Sequence, residues 1–147
     1  MSEASLRRAG PTDLDWVNAR YAEADFLPSD PTHLVLIAEV DGAAAGLGRL
    51  VPAGVGAVEL GGMYVLPAHR GCGVASALVR GLLGAAGGAR VYCIPWDDLA
   101  GWYERAGFAR VADEAAAPGA VRDKLAWCRS HYARAVRLLE YVPRSAA

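Results

Sequence analysis

Cysteine is scarce in this chain of 147 residues: Cys72, Cys93 and Cys128 are all it has. Their number is odd and no two form a C-x-x-C pair. That argues against a disulfide framework or a thiolate zinc site, and no metal is expected. Free thiols in a reducing cytoplasm are the plain reading. Lysine is scarcer still. Lys124 stands alone and arginine carries nearly all the basic charge, a compositional bias from which no function is read. Neither sign of charge is in excess. A formal net charge of −1 gives no reason to expect nucleic acid or an anionic membrane as partner. No uninterrupted apolar run reaches the ~20 residues that cross a bilayer. The segment Met1–Ala9 is polar and lacks the apolar stretch of a secretory leader. No repeat, low-complexity linker or charge block divides the chain. What is present is 54% hydrophobic residues, enough for a full core. At this length, one α+β domain over residues 1–147 is expected.

Hydrophobic periodicity and turn chemistry place the elements. Ser5–Ala9 reads as a strand. Thr12 offers an N-cap hydroxyl, and Leu14, Val17 and Tyr21 then recur at helical spacing to about Asp25. Leu34–Val40 and Ala43–Val51 read as a hairpin through Asp41-Gly42, its second strand weakened by Gly46 and Gly48. Ala57–Val65 is a further strand with Gly61-Gly62 in its middle, a pair that marks a bulge or the close approach of another backbone. Val74, Ala75, Leu78, Val79, Leu82, Leu83 and Ala86 follow the helical period closely, and Gly87-Gly88 ends that helix. A short strand over Ala89–Ile94 stops at Pro95. Asp97 or Asp98 caps a helix running through Arg105, and Phe108–Val111 is a strand. Val121, Leu125, Cys128 and Tyr132 form a helical stripe, and Ala135–Val142 reads as the last strand.

The densest signal is the run from Met63 through Leu78: strand, glycine-bearing turn, apolar helix. This order leaves backbone N–H groups unpaired at a helix start, where they can hold a diphosphate. A ligand with a diphosphate at one end and a reactive group along a flexible arm suits the layout, and coenzyme A is such a ligand. A dinucleotide fingerprint fits poorly, because Ser76 occupies the third glycine position.

Arg70-Gly71-Cys72-Gly73-Val74-Ala75 resembles the R/Q-x-x-G-x-G/A signature of the GNAT acetyltransferase superfamily. Trp102-Tyr103-Glu104-Arg105-Ala106-Gly107-Phe108 is similar to that family's F-Y-x-x-x-G-F segment. The Asp41-Gly42 hairpin resembles its second and third strands, so the likeness covers roughly Ser5 to Val111. The resemblance implies a mixed, mostly antiparallel, splayed sheet flanked by helices, and acetyl transfer from acetyl-CoA to an amine. It implies that the amides of Cys72, Gly73, Val74 and Ala75, helped by Arg70, Gly71 and the Ser76 hydroxyl, hold the diphosphate. It implies that the pantetheine arm lies along the strand at Met63, Tyr64 and Val65, where an N–H near Met63 polarises the thioester carbonyl. Glu59 is then the candidate general base and Tyr103 the candidate general acid.

Two features depart from the family pattern. Trp96 stands where an asparagine is common, and the segment between Asp113 and His131 reads as helical. Both lie near the expected acceptor side, so the acceptor is left as a small-molecule or peptide amine. A homodimer is common in the family. A non-catalytic acyl-CoA-binding module is the alternative function, and a plain nucleotide- or partner-binding domain a third. The bland readings of single residues also stand: a sheet-edge carboxylate for Glu59, a core tyrosine for Tyr103, and capping or packing for Trp96, Asp97, Asp98 and Trp102. His69, His33 and His131 read as structural or exposed. Cys72 sits where a helix start favours its thiolate, without a nucleophilic role.

Overall fold

The computed structural model describes residues 3–143, so Met1 and Ser2, the start of the segment read as lacking a leader, lie outside it. Seven strands form one mixed sheet of order β1-β2-β3-β4-β5-β7-β6. In chain order these are β1 (Ser5–Arg8), β2 (Leu34–Val40), β3 (Ala43–Pro52), β4 (Ala57–Val65), β5 (Arg90–Cys93), β6 (Phe108–Arg110) and β7 (Leu139–Tyr141). Four α-helices accompany them: α1 (Leu14–Glu23), α2 (Val74–Ala85), α3 (Ala100–Arg105) and α4 (Gly119–His131). The chain forms two compact units, 1–51 with 61–87 and 52–60 with 88–147.

In the first unit, β1 pairs antiparallel with β2, and β2 with β3. The hairpin between β2 and β3 turns at Asp41 and Gly42, both with positive φ (52° and 80°), as a two-residue turn of that hand requires. The period-2 alternation of β2 sorts its side chains between two faces. Val35 and Ile37 join Leu47, Val17 and Tyr21 in one core cluster beneath α1. The α2 stripe Val74, Leu78, Val79 and Leu82 is essentially dry, and each such side chain contributes about 1.5–3 kcal/mol of burial. Gly48 is the contact point under α2. A Cβ there would lie 2.6 Å from Met63 Sδ and 2.9 Å from Leu82 Cδ1, so a glycine that weakens β3 as a strand is what lets its neighbours close on it.

In the second unit, β4 begins beside β5 as a parallel pair running from Ala57↔Arg90 to Leu60↔Cys93. β7 joins β5 and β6 antiparallel. Helix α4 supplies Val121, Leu125 and Cys128 to a cluster with Ala53, Ala57, Tyr92, Val136 and Leu138. Two sequence expectations shift here. The last strand is confined to Leu139–Tyr141, because the preceding residues bond to several places at once. Arg137 N–H donates to the Pro95 carbonyl, Val111 N–H to the Leu138 carbonyl, and Val136 bridges to Trp96. The α3 helix is entered through a 3-10 turn, Asp97–Leu99, with no side-chain cap from either acid.

Gly62 has φ +58 inside β4, and a Cβ on it would lie 2.5 Å from the Tyr21 hydroxyl oxygen. Gly56 has φ +69 with nothing within 4 Å. Gly56→Ala therefore meets only the left-handed penalty, about 1 kcal/mol, whereas Gly62→Ala adds overpacking and loses about 3 kcal/mol. Urea unfolding of the two variants tests this; equal losses would show that Tyr21 is not pressed against the strand.

Candidate functional site

The turn between β4 and α2 lies in the first unit. His69 N–H donates to the Leu66 carbonyl at 2.9 Å, closing a 3-10 turn over Pro67–His69. Arg70 folds back, and its Nε donates to the Val65 carbonyl at 3.0 Å. Its guanidinium lies 6.0 Å from the ring of Tyr64, whose hydroxyl donates to Glu23 at 3.3 Å. Gly71 and Gly73 both take φ near +80 (79° and 81°), which an L side chain resists. Gly73 is the N-cap of α2 and no side chain caps the helix. Its carbonyl accepts the Ala77 N–H at 3.1 Å, so helix geometry leaves the N–H groups of Val74, Ala75 and Ser76 without an intrahelical acceptor. Residues 70–73 are exposed, while Val74 is buried and anchors the helix start. A row of amides without intrahelical acceptors thus stands at the positive end of a 12-residue helix, behind an exposed turn. The Cys72 thiol is exposed beside it and lies 3.7 Å from the Arg70 carbonyl oxygen. Thus Met63, Tyr64, Val65 and Arg70–Ser76, singled out in the sequence, belong to one continuous strand-turn-helix.

Glu59 and Tyr103 lie in the second unit. Glu59 is 7% exposed on β4, with Tyr92 its register partner on β5. It is therefore no solvated carboxylate at a sheet edge. Its Oε1 accepts a hydrogen bond from Lys124 Nζ at 2.9 Å. This pairing of the chain's one lysine with a buried acid, 65 positions apart, was not anticipated from sequence. The solitary lysine was the available signal. Tyr103 is buried on α3, packed edge-on against Trp102 and Phe108. Burial, then the nearby Cys93 thiol and the Glu59 charge, raise its phenol well above the ordinary value. The group therefore keeps its proton through neutral pH and is a hydrogen-bond donor. Burial also raises the Cys93 and Cys128 thiols, with Glu59 adding to both and Lys124 opposing at Cys128.

The acids after β5 are already engaged. Asp97 pairs with Arg137 at 2.7 Å and Asp98 with Arg134 at 2.8 Å. The Arg134 guanidinium also lies 4.9 Å from the Trp96 ring centroid, and Trp96 meets Tyr132 edge-on. These ion pairs engage the two acids in place of the helix capping expected of them. His33 bonds to Ser29, and His131 stacks on Trp127, so both are structural. Among the described residues no three potential ligands gather to hold a metal ion, and no helix is long and apolar enough to cross a membrane.

Comparison with known proteins follows the same segment. Residues 31–110, more than half of the chain, match the family model described as an acetyltransferase (GNAT) domain. No curated protein matches the chain by sequence. Among solved structures, the fold matches the N-acetylglutamate synthase of Neisseria gonorrhoeae complexed with coenzyme A and N-acetyl-glutamate. The TM-score is 0.73 and the identity 21%, over 98% of this chain and 36% of that one. This chain thus spans about a third of the synthase. A Mycobacterium tuberculosis protein in complex with CoA matches with TM-score 0.74 and 18% identity, over 95% of this chain and 99% of that one. The IAA acetyltransferase of Bacillus cereus matches with TM-score 0.65 and 16% identity, over 95% and 99%. At these identities the likeness is one of fold.

The geometry separates the three thiols. At pH 8 a disulfide reagent should titrate Cys72 quickly and leave Cys93 and Cys128 untouched until denaturant is added, because both are buried and held protonated. Two or three fast thiols would contradict the packing of β5 and α4. Lys124→Met strips Glu59 of its cation and should cost about 1–3 kcal/mol, the pair being partly solvated. Adding Glu59→Gln should restore much of that loss, and denaturation of the single and double variants measures it.

Proposed function

We propose that this chain, which belongs to the GNAT acetyltransferase family, moves an acetyl group from acetyl-CoA to a primary amine by direct attack. The observation that carries the reading is the uncapped start of α2 behind Gly73, at the end of the exposed turn that follows β4. The diphosphate of acetyl-CoA is assigned to the amides from Cys72 to Ala75, with Arg70, Gly71 and the Ser76 hydroxyl at its rim. Several N–H hydrogen bonds must share this work, since the helix end alone contributes about 0.3–1 kcal/mol when exposed. The pantetheine arm is assigned to the strand at Met63, Tyr64 and Val65, as an added strand.

Chemistry then follows the charges. An ammonium is not a nucleophile, so a carboxylate must take its proton. Lys124 engages Oε1 of Glu59, and the acceptor's proton goes to the other oxygen, directly or through water. The free amine attacks the thioester carbonyl, whose developing oxyanion is polarised by an N–H near Met63. The intermediate collapses with cleavage of the C–S bond; the departing thiolate takes a proton from Tyr103, and the second proton of the amine nitrogen passes to the phenolate, directly or through water, as the neutral amide forms. A buried phenol that holds its proton first stabilises that thiolate as a hydrogen-bond donor, and gives the proton up only as the amide nitrogen's proton replaces it. The acceptor is a small-molecule or peptide amine, and a reducing cytoplasm suits the free thiols.

The Glu59–Lys124 pair also supports a second reading, a module that binds acyl-CoA without turnover, because the only candidate base already has a partner. Thiol release from acetyl-CoA across a panel of amines, run beside calorimetry, separates the two. Turnover is expected, with Glu59→Gln and Tyr103→Phe each reducing kcat about 10²-fold or more. Tight binding with no thiol released by any amine would favour the module. Rates unchanged in both variants would remove these two assignments. Acetyl-CoA, but not the same concentration of ADP, should also shield Cys72 from the disulfide reagent.

A further inference from the structure

Arg49, on β3, is a charge that the proposed chemistry leaves unused. It is 4% exposed, and a buried guanidinium ordinarily has an anion beside it or a full set of hydrogen bonds. Its Nη1 donates to the Leu27 carbonyl at 2.8 Å and to Ser29 Oγ at 2.7 Å. Both acceptors are neutral. Nε and Nη2 donate to no protein acceptor among the described residues. Asp30 senses the Arg49 charge, but its carboxylate is taken by the N–H and hydroxyl of Thr32 and by His33 at 3.6 Å.

The guanidinium is held in one pose. Asn18 clamps the segment that binds Nη1, accepting from Ser29 N–H at 2.7 Å and donating to the Ser29 carbonyl at 3.0 Å. The Tyr21 ring lies 4.3 Å from Arg49 Cζ. With one nitrogen tied and one contact made by the ring, the Nε–Nη2 edge is left for a ligand. That edge is the fork that receives a carboxylate through two parallel hydrogen bonds. It lies against β4 at Gly62, where a Cβ would come within 2.9 Å of Nε, so the missing side chain is what keeps the fork uncovered. Gly62 is the residue before Met63, to which the thioester carbonyl has been assigned.

We propose that Arg49 binds a carboxylate of the acceptor, so that the amines this protein acetylates are those that also carry a carboxylate, α-amino acids first among them. The inference rests on the acetyltransferase reading. Its test is thiol release from acetyl-CoA with the common L-amino acids, each beside its α-amide and its decarboxylated amine. At least one amino acid should be turned over, with kcat/KM at least about tenfold above both counterparts, the discrimination expected of a charge-assisted pair. Arg49→Met should raise KM for that amino acid about tenfold or more with kcat little changed, leave its counterparts within about twofold, and be partly rescued in Arg49→Lys. Acetyl-CoA calorimetry on each variant reports whether the fold survives, and the parent's substrate preference decides the matter if it does not. Equal turnover of amino acids and counterparts, or turnover of the counterparts alone, overturns the carboxylate site and leaves the acetyltransferase reading standing. Acetyl-CoA binding with no turnover of any amine overturns that reading, and this inference with it.

Discussion

Gly62 holds φ near +58 in the middle of β4, pressed by Tyr21 and Arg49 from the α1 face. No other residue type sits there without moving a buried tyrosine. Much of the molecule follows from that kink. Up to Leu60 the strand is an ordinary parallel partner of β5; from Gly61 onward its residues pack with the other unit. There β4 lies beside β3, with Leu66 N–H donating to the Ala45 carbonyl at 2.9 Å. The strand then delivers the chain into the Pro67–His69 turn and the start of α2. A left-handed residue in a strand costs stability, and it persists because a fully buried core around Tyr21, Val17, Ile37 and Leu47 fixes its surroundings.

The two buried charged residues among those described are treated in opposite ways. Glu59 has a cation at 2.9 Å, drawn from a helix far along the chain, and the remaining solvent access of Lys124 softens the desolvation penalty. Arg49 has two neutral acceptors and an aromatic face. A cation over a ring recovers about 2 kcal/mol or somewhat more when desolvated, against a penalty of several kcal/mol for burying an unpaired charge. Its two hydrogen bonds hold the 27–29 segment but set no anion against the charge itself. The asymmetry itself therefore argues that Arg49 is retained for something that arrives from outside.

Sequence patterning located the elements that local physics controls. The α2 stripe, its glycine stop, the Asp41-Gly42 turn and the glycine turn before α2 all depend on neighbours within a few residues, and all stand close to where they were expected. What was misjudged depends on distant partners. Gly46 and Gly48 were read as weak points of β3; the backbone and side chains of β4 and α2 occupy the space a Cβ would need. Asp97 and Asp98 looked free to cap a helix until Arg137 and Arg134, about 40 residues on, took them. The last strand looked long because Val136 and Leu138 are apolar, yet their burial comes from packing against α4 rather than from a ladder. In each case the pattern gave the right polarity and the wrong reason for it.

Burial explains why Tyr103 suits a late step better than an early one. A phenol in water donates and accepts with ease. Packed between Trp102 and Phe108, with a buried thiol and a carboxylate near, it resists forming phenolate. Such a group stabilises an incoming negative charge by hydrogen bonding long before it surrenders a proton, so in the proposed reaction it would act chiefly in the transition state in which the thiolate separates. Glu59 has the complementary environment, a fixed ammonium that compensates its charge while leaving one oxygen to accept a proton. In the proposed reaction, two acidic side chains in one unit, one kept neutral by burial and one matched to a cation, would have their acid and base roles divided by their environments.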